Sequence, residues 1–353
     1  MPYVTVLAEL FWGHVVPVSL QAALLALAVA VVDRLLPRRA WPELRAGLWA
    51  LVLLRLLVPP DVASPWSPGG VLPETALFGD AVPRWALAVP FVWIVGTGLL
   101  VLAVAWRYRA ERRRLLAGVN AKAQLPEPLV LAVSRAASRL GVPEPRTVVS
   151  REARGPLVMG TFRPVLVIPE GLSEALDPGR LEHVVLHELA HVKRRDALRA
   201  LFCAAVQMAF WFHPLVWIAT RRLGVLRESC CDRTALAHAR GESEGYSRAL
   251  LEVAARVAGE RPEPGLAFVV PHHSLALRME LIRASDGDVP ALRRVTVAAV
   301  LGALAVLAVP LAREAEGASR SVAELVTRPP GCLQLRYMVL ERLAKEDREE
   351  KKK

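Results

Sequence analysis

His187-Glu188-Leu189-Ala190-His191 lies within a run whose apolar residues, Leu181, Val184, Val185, Leu186, Leu189 and Val192, recur at helical spacing. Residues four apart on a helix share a face, so the imidazoles of His187 and His191 can reach one metal ion. Glu188 is turned from His187 by about 100°, one residue's rotation, close enough to polarise a water at that ion. Asp177-Pro178 supplies an N-cap followed by proline at the first helical position. The plain alternative is a solvated helix that happens to carry two histidines and a glutamate. The marked start and apolar side instead predict a helix that holds its polar residues rigidly in mid-run.

This pattern is that of metal-assisted hydrolysis with zinc, which requires a third protein ligand. His183 extends the histidine series, but it stands eight residues from His191, roughly 12 Å along a helix axis. Metal–nitrogen bonds of about 2.1 Å cannot bridge that span. A better ligand lies in Arg227-Glu228-Ser229-Cys230-Cys231-Asp232, which reads as a helix. Glu228 and Asp232 share a face there. Glu228 can ligate the metal, and Asp232 can hold a histidine's far nitrogen. The competing reading is an exposed acidic pair flanked by Arg227 and Arg233.

The chain of 353 residues is 54% apolar yet carries a formal charge of +11. Its segmentation reconciles the two. Three membrane spans are expected within residues 1–106, at about 11–32, 46–60 and 85–106, and a fourth at about 295–312, each judged against a hydrocarbon core of about 30 Å. Arg55 in the second span is expected to snorkel to an interface. A cleavable signal peptide is the rival for the first segment, which lacks a basic start. Arg34, Arg38, Arg39 and Arg45 follow the first span. Asp61, Glu74 and Asp80 outweigh Arg84 before the third, and Arg107 to Arg114 follow it. The bias of basic residues toward the inside puts the N-terminus out and residues 107–290 in the cytoplasm. The 107–114 run fits anionic lipid better than nucleic acid, because it adjoins a span.

The inner region is large enough for one domain with its own core. Leu125–Leu140 reads as a helix stopped by Gly141 and Pro143. Thr147–Ser150 reads as a strand, and Leu157–Gly160 with Val165–Ile168 as a hairpin. The apolar run 197–218 has basic residues at both ends and Pro214 inside it. A single crossing would put a bilayer between His191 and Glu228, so a bent, re-entrant or membrane-lying segment is expected; a buried soluble helix is the alternative. Cys203, Cys230 and Cys231 face the reducing interior as thiols, and Cys332 is alone outside. The adjacent His272 and His273 point in different directions and make a poor metal pair.

Taken together these stretches resemble the gluzincin membrane peptidases, and among them the BlaR/MecR-type antibiotic-sensing regulators. His191 to Asp196 resembles the H-x-x-R-x-D continuation of that group. Phe210 to Trp217 resembles its F-W-F-N-P-L-V-W segment, with His213 for asparagine. Arg227 to Asp232 resembles R-E-x-A-C-D, and Gly155 to Pro169 its strand pair. The resemblance implies a multi-pass α-helical membrane protein with a cytoplasmic α+β gluzincin-like metallopeptidase domain over 107–290. It implies one Zn²⁺ per chain held by His187, His191 and Glu228, Glu188 as catalytic base and Asp232 as support. A second oxyanion donor is needed; Tyr246, Arg194 and His238 are the candidates. The expected location is the bacterial inner membrane, and the expected partners are the lipid bilayer and a protein substrate, which the resemblance implies to be a transcriptional repressor. No direct nucleic-acid contact is expected, and a homodimer is compatible. Quality-control proteolysis and a zinc-binding scaffold that does not cut are the alternatives. Only about 40 residues follow the fourth span, charged and too few for the outer penicillin-binding domain of those receptors, so β-lactam sensing is not carried over.

Overall fold

A computed structural model describes residues 11–36, 42–58, 84–119, 124–239, 242–258, 278, 279 and 282. The expected fourth span and tail, Cys332, His272 and His273, and the acidic loop residues Asp61, Glu74 and Asp80 lie outside the described residues. The chain divides into two compact units. One takes the described parts of Met1–Val32 and Ala50–Gly98, the other those of Asp33–Trp49 and Leu99–Arg294.

A π-helical turn, Phe11–Val15, enters helix α1, Val16–Leu35. Val18, Ala22, Leu25, Ala26 and Val29 are buried along one stripe, while Leu20, Leu24, Leu27 and Val31 are exposed. A helix apolar on both sides needs an apolar surrounding for its outer face. Helix α2, Pro42–Arg55, starts earlier than the expected 46–60 span, and residues past 58 lie outside the described set. Arg55 does not extend toward an interface: it is 3% exposed, donates to the Val58 carbonyl at 2.7 Å and pairs with Gln21 of α1. A buried guanidinium needs acceptors, and these two are at hand. Helix α3, Arg84–Ala117, runs on past Trp106, the end of the expected third span. Its window within Ala88–Ala117 is only 6% buried, and α1 and α3 are the described helices long and apolar enough to cross a membrane.

The second unit is built on helix α6, Pro178–Lys193. Asp177 caps it through the Arg180 N–H at 3.0 Å, with Pro178 at the first helical position. Leu181, Val184, Val185, Leu186 and Leu189 enter the core, where helix α4, Glu127–Leu140, packs along α6. Gly141 ends α4 at φ 65°, a left-handed conformation suited to glycine. Strands β1 (Arg146–Ser150), β2 (Leu157–Met159) and β3 (Val165–Pro169) form a sheet in the order β1-β3-β2. β1 pairs parallel to β3, Val148 opposite Val167, and β2 pairs antiparallel, Val158 opposite Leu166. The period-two alternation sorts β3: Leu166 and Ile168 join the α4/α6 core, while Val167 faces Val148 and Leu115 of α3.

A short helix α5, Leu172–Ala175, precedes α6. After it come α7 (Asp196–Ala209), α8 (Pro214–Leu236) and α9 (Ser243–Ala258). The 197–218 run is thus two helices, broken at 210–213. α8 is tied to the segment Asp33–Trp49: buried Asp33 accepts from Arg45, from Trp49 Nε1 at 3.2 Å and from Arg222 Nε at 2.9 Å, and Arg233 meets Glu43 at 2.7 Å. Asp33→Ala should remove the buried carboxylate shared by Arg45, Trp49 and Arg222 and lower stability by about 3–5 kcal/mol. Arg222→Ala, at the more exposed end, should cost less. Unfolding in detergent measures both, and equal melting of wild type and D33A would show that the cluster does not hold these segments.

Candidate metal centre

The second unit brings His187, His191 and Glu228 together. His187 Nε2 lies 3.6 Å from Glu228 Oε2, and His191 Nε2 lies 3.8 Å from the same oxygen. One ligand atom from each residue falls within 4.8 Å of the others. A tetrahedral ion with bonds of about 2.1 Å holds its ligand atoms roughly 3.4 Å apart, and both histidine–carboxylate distances lie within a few tenths of an ångström of that spacing.

The far nitrogens are occupied, which is the stronger test of fit. His187 Nδ1 is 3.1 Å from Asp232 Oδ1 and 2.8 Å from the Tyr246 hydroxyl. His191 Nδ1 is 3.0 Å from Asp196 Oδ2. A carboxylate at Nδ1 stabilises the tautomer whose proton sits there, so both Nε2 lone pairs turn toward Glu228. The backbone makes the second pairing possible. Arg195 adopts φ 54°, the one positive φ at a non-glycine among the described residues. That left-handed residue turns the chain sharply between α6 and α7, bringing Asp196 back under His191 five positions earlier.

Burial sets the electrostatics. Burial disfavours a charged His187, but hydrogen bonds to Asp232 and Glu228 override it and raise its pKa to about 9. Burial raises the pKa of Glu188, with the imidazoles of His187 and His191 pulling against it and the Glu228 charge adding to it. Glu228 resists the same burial because of His187 and His191 and stays below the ordinary carboxylate range. Asp232 falls to about 2: burial works against this, but Arg278 and His187 prevail. Cys231 Sγ stands 2.9 Å from Asp196 Oδ2 and 3.1 Å from His191 Nδ1. His191, Asp196 and Cys231 thus form a second metal-ligand-type group. Burial, and next the Asp196 charge, push the thiol far above its usual value, so it acts as an S–H donor to Asp196.

The three oxyanion candidates have the following partners. Tyr246 is fully buried; its hydroxyl donates to Asp232 at 2.8 Å on the Nδ1 side of His187, away from Glu228. Arg194 points at Asp196, 3.7 Å away. His238 bonds the Thr234 carbonyl at 2.8 Å and Lys193 at 3.2 Å, at the far ends of α6 and α8. His183 is buried beside Glu242 at 3.0 Å and is not among the converging ligands. Arg278, a residue with no foregoing signal, lies beside the ligands. Arg278 forks onto both Asp232 oxygens at 2.7 Å, and its Nη2 lies 3.4 Å from His187 Nε2. Asp196 had a signal, the H-x-x-R-x-D continuation, but no role read from it.

Residues 74–282, more than half of the chain, match the family described as BlaR1 peptidase M56, and the chain belongs to that family. It is similar to the regulatory protein BlaR1 of Bacillus licheniformis, 32% identical over 25% of this chain and 15% of that one. It is similar to the methicillin resistance mecR1 protein of Staphylococcus aureus, 32% identical over 23% of this chain and 14% of that one. A protease HtpX homolog of Methanopyrus kandleri is 42% identical over 23% of this chain and 29% of its own length. The chain therefore spans a small part of the curated relatives it matches.

Asp196→Asn should weaken zinc binding about 10–100-fold while the fold persists, as removal of a carboxylate behind a ligand histidine typically does. Competition with a chromophoric chelator measures it. Protein stripped of metal should bind zinc more tightly as pH rises from about 6.5 toward about 9, up to tenfold per unit. The raised pKa sets the sign: below it His187 holds a proton that must leave before its nitrogen can ligate. An affinity flat across this window would contradict the assignment.

Proposed function

We propose that the chain is a membrane-embedded zinc endopeptidase that cuts a protein substrate at the cytoplasmic membrane face, in regulated signalling by cleavage of a repressor. The observation that carries it is the convergence of His187, His191 and Glu228 with both far nitrogens held by buried carboxylates. Membership of the M56 family supports peptidase chemistry. The two apolar helices and the arginines after Trp106 support a multi-pass arrangement with the centre on the inner side. The BlaR1 and mecR1 relatives favour the regulatory role, and the HtpX-like relative favours quality-control proteolysis as the second reading.

A zinc ion at the three ligands supplies a Lewis acid for a peptide carbonyl and acidifies a water. Glu188 is buried beside both ligand histidines with its pKa raised, which suits it to take a proton from the attacking water and return it to the departing nitrogen. Asp232 and Asp196 keep the imidazoles oriented. Arg278 holds Asp232 and sets a positive N–H group at the edge of the ligand cluster, where it can stabilise negative charge developing on the carbonyl oxygen. β2 offers an edge, being paired only to β3 in the described sheet. An extended substrate would add there as a further strand.

Glu188→Gln should keep zinc at one per chain by elemental analysis and reduce cleavage at least a hundredfold, the scale of a lost general base. His191→Ala should lose both metal and cleavage. Comparison of intact cellular proteins with the active and E188Q chains identifies the substrate. If E188Q preserved the cellular phenotype, the non-proteolytic scaffold reading would replace this one.

A further inference from the structure

The arginines on the second half of α3 serve no part of the metal centre. Ala105, Tyr108, Arg109, Arg112 and Arg113 stand at i, i+3, i+4, i+7 and i+8, which places them on one helix face. They line a groove of about 390 Å³. Tyr108 and the three arginines are exposed, and none of these arginines meets a carboxylate among the described residues. The nearby acids Glu111 and Glu152 are both taken by Arg114, at 3.8 and 3.2 Å. Beyond these residues, the last turns of α3 pack on the sheet. Leu115 is buried against Val148 and Val167, and the Ser150 hydroxyl donates to the Leu115 carbonyl at 2.6 Å.

Position along the helix adds a second constraint. Ala88 to Ala105 is apolar and spans about 27 Å, close to the roughly 30 Å of a hydrocarbon core. Trp106, 71% exposed, and Tyr108 follow, the residue types that settle at a membrane interface. Arg109 to Arg113 then lie about 4.5 to 10.5 Å beyond Trp106. That is the depth of the phosphate layer, because the headgroup region adds roughly 5–8 Å to each side of a bilayer.

We propose that this groove binds the phosphodiester headgroup of an anionic phospholipid, with Arg109, Arg112 and Arg113 supplying the cationic N–H donors. The inference rests on the membrane reading above. Because the C-terminal end of α3 is fastened to the sheet through Leu115 and Arg114, a headgroup held there fixes the unit that carries the metal centre against the leaflet.

The test uses the full chain reconstituted in nanodiscs of phosphatidylcholine mixed with phosphatidylglycerol, then released for native mass spectrometry of the lipids retained. Wild type should keep phosphatidylglycerol over phosphatidylcholine. R109Q/R112Q/R113Q should lose that preference by about fivefold per charge, about a hundredfold in all, whereas the triple lysine variant should keep most of it. Zinc content of the variants, expected at the wild-type level, shows that the centre is intact. Inserted wild type with no preference overturns this inference alone. Displacement of the lipid by inorganic phosphate or by a short RNA at equal concentration assigns the groove to those ligands and also overturns it. Failure of the wild-type chain to insert at all, read by carbonate extraction of native membranes, overturns the membrane reading along with it.

Discussion

A buried imidazole has two nitrogens and only one can face a metal, so the site depends on what occupies the other. Here the answer comes twice: Asp232 stands behind His187 and Asp196 behind His191. Each carboxylate is itself held. Asp232 accepts from Tyr246 and both arms of the Arg278 fork, and Asp196 accepts from Cys231 and from Arg199 at 3.0 Å. A carboxylate that lost these donors inside the protein would carry a desolvation penalty of several kcal/mol and would turn elsewhere. Orientation of the ligand atoms is thus set two bonds away from them, by groups that could not themselves touch a metal at the Nε2 positions.

The packing serves the same end. α6 places its polar motif between two buried apolar stripes, one against α4 and β3, so that His187 and Glu188 are buried without being moved from the helix axis. α9 packs on α6 as well and delivers Tyr246 to the nitrogen that would otherwise face the core. Helices presenting ligands in this way lose little freedom on binding an ion, since the rotamers are already fixed by neighbours.

Local pattern made α6 and the Glu228 helix readable, because capping, apolar spacing and four-residue separations are properties of adjacent residues. Asp177, Pro178, His187, His191, Glu228 and Asp232 all stand where such rules put them. The strands and the hairpin of β2 with β3 were readable, but the parallel pairing of β1 with β3 was not, because β2 stands between them in the chain and sequence holds no record of which edges meet. Arg278 was invisible for a similar reason. It reaches His187 from 91 positions away, with no periodicity linking the two. Tyr246 is a candidate donor by residue type alone, and spacing cannot say that its hydroxyl approaches His187 Nδ1. The pairing of Arg55 with Gln21 joins two helices, and no local pattern announces it.

The break at 210–213 is what lets the two halves of the ligand set meet. A helix running without interruption from Asp196 to Glu228 would separate them by about 48 Å. Instead Phe210 ends α7, the His213 N–H turns back to the Phe210 carbonyl at 2.9 Å, and Pro214 opens α8 where its missing N–H costs nothing. Trp217 Nε1 closes the corner on the Trp211 carbonyl at 2.8 Å. The return brings Cys231 within 2.9 Å of Asp196. The same reversal explains why so apolar a run carries basic residues at both ends. Two antiparallel helices keep Arg194, Arg195 and Arg199 on the same side as Arg221, Arg222 and Arg227, so a cationic cluster need not cross an apolar layer. Metal geometry and charge placement therefore impose the same bend, and neither could be satisfied by a straight span.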